Sequence, residues 1–414
     1  MNNQRLELVA DFYEYTMANG YFNKNMEDRI AYFDVFFRKV PDEGGYAIVA
    51  GLEQIINYIR NLSFDEEDIS YLRKQNKFSE EFLNYLENFR FTGDIWAIPE
   101  GTVVFPNEPL ITVKAPIIQA QLLETMLLLT TNHQSLIATK TSRIVKEAQG
   151  RPVMEFGARR AHGINAAVEG ARAAIIGGAV GTSCTLSAKE FNIPASGTMA
   201  HSWIQSFDSE YEAFKAYAEL YPDDCTFLID TYNTIESGLP NAIKVFNEVL
   251  KPKGYRPKAV RLDSGDLAYL SKKVRKILDE AGYEDCKICA TNSLDEYLIK
   301  SLIEQDAKID LFGVGENLIT AKSEPVFGGV YKLVALEKDK KIVPKIKVSE
   351  NTAKVTNPSF KKVYRFYDNE TKKAIADVIT LADEILDERE YMIFDPQNPW
   401  KKKILKDYSI RLLQ

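Results

Sequence analysis

The stretch "SGTMAHSWIQ", residues 196–205, sets one of only three histidines in the chain among Gly, Thr, Ala and Ser. A titratable ring in such small surroundings leaves room for a reactant, and a neutral imidazole there serves either as a general base or as a nucleophile that accepts a phosphoryl group. A core histidine with both nitrogens satisfied reads the same way, so His201 has to be judged by its company. In "RLDSGDL" Arg261 precedes two carboxylates, Asp263 and Asp266. The guanidinium can clamp an anion in bidentate fashion, and the carboxylates can hold Mg²⁺ through water, order sugar hydroxyls, or cap the next helix from a solvated turn. "FGVGENL" spaces Gly313 and Gly315 so that backbone N–H groups can approach a phosphate, although a plain tight turn uses the same glycines.

These residues need a frame. After Gly150 the short apolar runs "PVMEF", "GAVGTS", "IPASGTM", "TFLIDT", "KAVRL", "KICAT" and "IDLFGVG" alternate with helical stretches, at the spacing of βα units. About seven such units predict an irregular α/β barrel, whose active site forms at the C-terminal strand ends. The residues that follow the strands are polar: Arg159, Arg160 and His162; Thr182 and Ser183; Thr198 and His201; Asp230; Asp263; then Gly313 and Gly315. The spacing of Ser293 and Glu296 predicts a capping box on the helix after "KICAT". Read from the residues alone, the barrel mouth handles a phosphorylated sugar.

Residues 1–130 read as an α+β N-terminal domain, with an antiparallel β unit at 91–117. A long helical pattern over 119–150, which holds His133 as a packed histidine, leads into the barrel domain at 131–334. The strand-rich, lysine-rich segment 335–414 is expected to return to the N-terminal domain and complete it, because the barrel is already full.

The net charge of −7, with Lys and Arg interspersed among Asp and Glu, gives neither a nucleic-acid nor an anionic-membrane footprint. No apolar run reaches membrane-spanning length, the start lacks a secretory pattern, and the four cysteines fit a reducing compartment, so the expected location is cytoplasmic. The pair in "CKIC" has redox or half-zinc spacing but lies in an apolar run that reads as a buried strand, with no second pair.

The segments "DFYEYTMANGYF", "FFRKVPDEGGYAIVAGLE", "MEFGARRAHG", "SGTMAHSW", "RLDSGDL" and "FGVGENLIT…FGGVYKLV", in this order over nearly the whole chain, resemble the nicotinate phosphoribosyltransferase family. That resemblance implies condensation of nicotinate with 5-phosphoribosyl 1-pyrophosphate to nicotinate mononucleotide and pyrophosphate, coupled to ATP hydrolysis, in NAD salvage. It implies that His201 is phosphorylated, and that Tyr13 stacks on the pyridine ring across a homodimer interface with Phe156 on the other face. It places Arg159, Thr198 and Arg261 around nicotinate and the ribose phosphate, Asp230 and Asp263 near the ribose and Mg²⁺, and Gly313, Gly315 and Glu316 at the 5′-phosphate loop. With no Walker-type loop in the chain, ATP would use the same phosphate-rich mouth. Glu316 departs from the threonine many relatives show there, and a carboxylate beside a phosphate is electrostatically awkward. Relatives that use nicotinamide resemble "GTD" where this chain has "GTS"; Ser183 would spare a substrate carboxylate the repulsion of an aspartate. A nicotinamide enzyme, an α/β-barrel aldolase or glycosidase, and a non-catalytic scaffold are the competing readings.

Overall fold

The computed structural model describes residues 6–348, 355–387, 389–396 and 398–414. They form two compact units, Leu136–Pro325 and a second made of Met1–Ser135 with Val326–Gln414.

The unit Leu136–Pro325 is built on a six-stranded parallel sheet: β1 (Val153–Glu155), β2 (Gly181–Thr182), β3 (Thr226–Leu228), β4 (Ala259–Leu262), β5 (Lys287–Ala290) and β6 (Leu311–Val314). The order across the sheet is β2-β1-β6-β5-β4-β3, and every pair is parallel. That order is cyclic, a half-barrel cut between β2 and β3. Phe227, Leu228, Val260, Leu262, Ile288, Ala290, Phe312 and Val314 are all fully buried; helices cover such strands, so they read as apolar runs. The run "IPASGTM" does not become a strand. It contributes a single parallel bridge, Ala195 to Thr182, beyond β2, because Pro194 before the bridging residue has no N–H for a ladder and Gly197 follows two residues later.

Helix Leu267–Glu280 buries Leu267, Ala268, Ser271, Val274 and Leu278 on one face, and its Asp266 cap accepts from the Tyr269 N–H at 3.0 Å. Of the uses open to Asp266, capping is the one seen. After β5 the cap is Asp295, accepting from Leu298 N–H at 2.8 Å, and not Ser293. Asn292 and Ser293 both have positive φ, 78° and 53°, so the chain is still turning at Ser293 and cannot enter the helix there. Ahead of the sheet the 119–150 pattern resolves into Ile117–Gln121 and Glu124–Glu147, interrupted at Leu122 and Leu123.

In the other unit a five-stranded sheet runs Lys341–Pro344, Gly329–Lys338, Ile30–Phe37, Ile111–Pro116, Asp94–Ala97. Gly329–Lys338 crosses residue 334 and pairs antiparallel with Ile30–Phe37, Tyr32 opposite Ala335. Lys361 sets its ammonium 2.8 Å from buried Asp34, which also accepts from Thr112 at 2.8 Å, so residues beyond 335 are tied to the N-terminal strands by a desolvated ion pair. A three-stranded sheet (Ala374–Leu381, Lys361–Asp368, Tyr408–Leu412) and the hairpin Glu390–Asp395 with Asn398–Lys406 complete it. Among the described residues no helix is long and apolar enough to cross a membrane.

Candidate functional site

Because all six strands run the same way, their C-terminal ends deliver side chains to one edge of the sheet. Arg261 sits inside β4, only 16% exposed, and its guanidinium makes four hydrogen bonds. Nε donates to Thr291 Oγ1 at 2.9 Å, Nη1 to Thr198 Oγ1 at 2.8 Å and to the Met199 carbonyl at 3.2 Å, and Nη2 to Asp263 Oδ1 at 2.8 Å. The Thr291 hydroxyl in turn donates to Asp263 Oδ1. Asp230, two residues past β3, accepts through Oδ2 from the Asp263 backbone N–H at 2.8 Å and the Ser264 hydroxyl at 2.6 Å.

His201 opens the short helix His201–Gln205. Its Nδ1 lies 3.0 Å from Thr231 Oγ1, and its Nε2 faces Asp263 Oδ2 at 3.7 Å. With the threonine accepting from Nδ1–H, the Nε2 lone pair points toward the carboxylates. Partial burial acts to raise the Asp263 pKa, yet the hydrogen bonds from Thr291 and Arg261, helped by the positive charge of Arg261, outweigh it and leave the carboxyl below its ordinary value. Asp263 is therefore an anion throughout the physiological range.

Two oxygens in this cluster remain uncommitted. Asp230 Oδ1 is buried without a hydrogen-bond partner, and Asp263 Oδ2 has only the distant imidazole. Among the described residues no group of three or more His, Cys, Asp and Glu is arranged for a metal. Two carboxylate oxygens suit Mg²⁺, which takes one or two protein carboxylates and fills its remaining positions with water and substrate phosphates.

Phe156, Gly157, Gly313 in β6 and Gly315 just after it fit together by close approach. A Cβ on Gly313 would stand 2.5 Å from the Phe156 ring and 2.7 Å from Thr291 Cγ2, and one on Gly157 would stand 2.7 Å from the Gly315 carbonyl. These glycines are required by packing, whatever else they bind. Beside this turn a cavity of about 420 Å³ is lined by Arg160, His162, Glu316, Thr320, Lys322 and Pro325. Glu316 is 2.8 Å from Lys322 Nζ and 3.8 Å from Arg160 Nε. The hydrogen bond from Lys322, with its charge, holds the Glu316 carboxyl below the usual range.

The sequence profile of the nicotinate phosphoribosyltransferase family matches residues 152–380, that of the family's N-terminal domain residues 8–132, and that of its C-terminal domain residues 360–414. The chain belongs to the nicotinate phosphoribosyltransferase family. It is 47% identical over 404 residues to the nicotinate phosphoribosyltransferase of Bacillus subtilis, covering 97% of this chain and 82% of that one. It is 36% identical to the nicotinate phosphoribosyltransferase of Caenorhabditis elegans, covering 91% of this chain and 76% of that one. The crystal structure of human nicotinic acid phosphoribosyltransferase superposes with a TM-score of 0.85 at 27% identity, covering 97% of this chain and 87% of that one.

In this family member the contacts draw His201, Asp230, Asp263, Arg261 and Thr198 into one network, and Gly313 has Phe156 and Thr291 of that network as close neighbours. Arg159 and Ser183 are exposed at the ends of β1 and β2, and among the described residues neither hydrogen-bonds to a member of that network. Tyr13 belongs to the other unit, on helix Phe12–Phe22, where it is 44% exposed beside Phe12 and Met17; burial and the nearby Glu124 carboxylate raise its phenol pKa. Cys286 and Cys289 are buried around β5, their thiols pushed up to about 12 by burial, which leaves them inert toward redox chemistry.

Three residues of the site were not singled out from the sequence. Thr231 and Thr291 lie directly after "FLID" and "CA", where the strand-end rule that found Asp230 also points. Glu155 carried no signal, being one polar residue in an apolar run. It is wholly buried; Oε1 accepts from the Gly157 N–H and Oε2 from Thr182 Oγ1 at 2.6 Å, while its carbonyl accepts from Ser183 N–H at 2.9 Å. It therefore joins the end of β1, which carries Phe156 and Arg159, to the end of β2, which carries Ser183. Burial raises its pKa against these two hydrogen bonds.

Proposed function

We propose that this chain transfers phosphoribose from 5-phosphoribosyl 1-pyrophosphate to nicotinate, forming nicotinate mononucleotide and pyrophosphate in NAD salvage, coupled to ATP through a phosphohistidine at His201. The observation that carries the reading is the imidazole fixed by Thr231 through Nδ1, with Nε2 open toward Asp263. Nε2 attacks the γ-phosphorus of ATP, the N–P bond forms as the bond to the β-phosphate oxygen breaks, and ADP leaves; no proton needs to be lost, since Nδ1 keeps its own. In the condensation the pyridine nitrogen bonds to ribose C1 as pyrophosphate departs, and water finally returns the phosphoryl group of His201 as phosphate. A phosphoryl group on His201 changes the charge facing Arg261, which favours the donor-binding state by differential affinity.

Asp230 and Asp263 would hold Mg²⁺, which neutralises charge on the departing pyrophosphate. Arg261 and Thr198 orient the ribose and nicotinate side, and Phe156 offers one face to the pyridine ring. Arg159 and Ser183 take the nicotinate carboxylate, and Gly313 and Gly315 the 5′-phosphate. The catalytic domain, read from sequence as 131–334 between 1–130 and 335–414, would be an irregular α/β barrel within the unit Leu136–Pro325, since the strand Gly329–Lys338 belongs to the other unit's sheet. A cytoplasmic homodimer, in which Tyr13 completes the neighbouring site, accounts for an exposed helix face of Phe12, Tyr13 and Met17.

The test is pyrophosphate and mononucleotide formation with the donor and Mg²⁺, with nicotinate against nicotinamide, each with and without ATP. ATP-stimulated turnover of nicotinate supports the reading. Preference for nicotinamide would overturn the role of Ser183, and no turnover of either would overturn the reaction.

A further inference from the structure

We propose that Glu316 is a built-in anion that occupies a phosphate subsite formed by Arg160 and Lys322, and that it yields to phosphate but not to carboxylates. The inference rests on the phosphoribosyl-transfer reading and adds a selectivity device to it. The cavity beside the Gly315 turn is lined by two permanent cations, Arg160 and Lys322, and by one carboxylate, that of Glu316. Its two oxygens are divided between them, Oε1 at 2.8 Å from Lys322 and Oε2 at 3.8 Å from Arg160. The second distance is too long for a hydrogen bond, so the Arg160 donors stay available.

The backbone under these side chains is fixed. Gly157 and Gly315 are in close contact, Arg160 N–H donates to the Gly157 carbonyl at 2.7 Å, and Thr320 Oγ1 donates to the Glu316 carbonyl at 2.7 Å. Next to Lys322, Ser323 accepts from Lys140 at 2.7 Å, and that buried ammonium also pairs with Glu296 at 2.8 Å. The two cations are thus presented by rigid turns, whereas Glu316, 42% exposed, can swing away on its own side chain.

Exchange then depends on charge. The Arg160, Glu316 and Lys322 side chains are 59%, 42% and 63% exposed, and ion pairs this open contribute little. A phosphate monoester or pyrophosphate brings more negative charge and more acceptor oxygens to both cations, so it displaces the carboxylate. A carboxylate ligand replaces like with like and must also compete with a tethered group at millimolar effective concentration, so it is rejected. An enzyme whose substrates are a pyridine carboxylate and a phosphorylated sugar needs that distinction: nicotinate is kept out of the donor's phosphate site.

The experiment measures binding of inorganic phosphate and pyrophosphate to the resting protein by calorimetry, for the native chain, Glu316→Gln, and the double variant Arg160→Ala/Glu316→Gln. Glu316→Gln is expected to bind phosphate about fivefold tighter, with a steeper loss of affinity as salt rises, and to let nicotinate displace that phosphate in the same titration, which the native chain does not. The double variant loses the gain, which ties it to Arg160. Phosphate binding that is unchanged or weaker in Glu316→Gln, or a gain that survives loss of Arg160, overturns the inference. No turnover is needed, so a native chain that fails to use nicotinate would sink the reaction while leaving the subsite to stand or fall on these titrations.

Discussion

The two charged clusters of the sheet-bearing unit are built on opposite principles. Around Arg261 the guanidinium touches Thr291, Thr198, the Met199 carbonyl and Asp263 at 16% exposure, and each partner is itself held by a second bond or a strand end. Around Glu316 the charges meet at 42% to 63% exposure, with one short contact and one long. Breaking a buried, interlocked pair costs about 3–5 kcal/mol because the survivor is left uncompensated, whereas exposed pairs are worth about 0–1 kcal/mol. The first cluster is built as a preorganised template and the second as an exchangeable contact, which suits the proposed roles of holding a transition state and releasing a phosphate.

Substitutions can break that contrast. Arg261→Ala should show the largest effect, lowering turnover by about 10²- to 10³-fold, since Asp263 is left as an uncompensated anion; Arg261→Lys should not restore it, because one ammonium cannot reach Thr291, Thr198 and Asp263 together. A loss under tenfold in steady-state kinetics would mean the cluster is as exchangeable as its exposed counterpart.

Glu155 sharpens the comparison from below. Glu155→Ala leaves the Gly157 N–H without its partner and should cost about 1–3 kcal/mol of stability, read by denaturant unfolding. Glu155→Gln keeps both bonds, its carbonyl accepting from Gly157 and its amide donating to Thr182, and should fold at least as well as the native chain. The pKa of Glu155 is raised in the fold, so its ionisation weakens the native state as the pH climbs from the ordinary glutamate value of about 4.3 through the raised one. The stability advantage of Glu155→Gln should accordingly grow over that interval. Asp263 has the opposite sign. Its lowered pKa gives stability that is present above about pH 4 and lost only as the pH falls through the depressed value, so mild acid should not disarm it.

Thr291→Val removes a hydroxyl that serves both Arg261 and Asp263, and a fall in turnover of about tenfold is expected. Smallest is the fivefold tightening of phosphate by Glu316→Gln, without change in thermal unfolding.

Much of the frame was legible because burial on both faces forces apolar runs, and these marked all six strands and therefore Asp230 and Asp263 just beyond two of them; His201 was found instead by its small neighbours, after a run that is not a strand. "IPASGTM" misled because it meets β2 at a single bridge and goes no further, Pro194 having no N–H to extend the ladder. Ser293 and Asp295 both suit a cap; only the positive φ of Asn292 and Ser293 decides between them, and that is set by the turn after β5. Thr231, Thr291 and Glu155 escaped notice because small hydroxyls and a single buried acid carry no periodicity, although they hold His201, Arg261 with Asp263, and the end of β1 in place. The pairing of Glu316 with Lys322 across a short helix needed coordinates, since a carboxylate after a glycine turn is equally at home facing solvent.

The central claim is that His201 carries a phosphoryl group, and the direct test is to incubate the protein with γ-labelled ATP and Mg²⁺ and locate the label. We expect label on His201, stable in base and lost in acid, discharged when nicotinate and the phosphoribosyl donor are added, and absent from His201→Ala, which should keep only slow ATP-independent condensation. Label on another residue, or ATP stimulation that persists in His201→Ala, would contradict it.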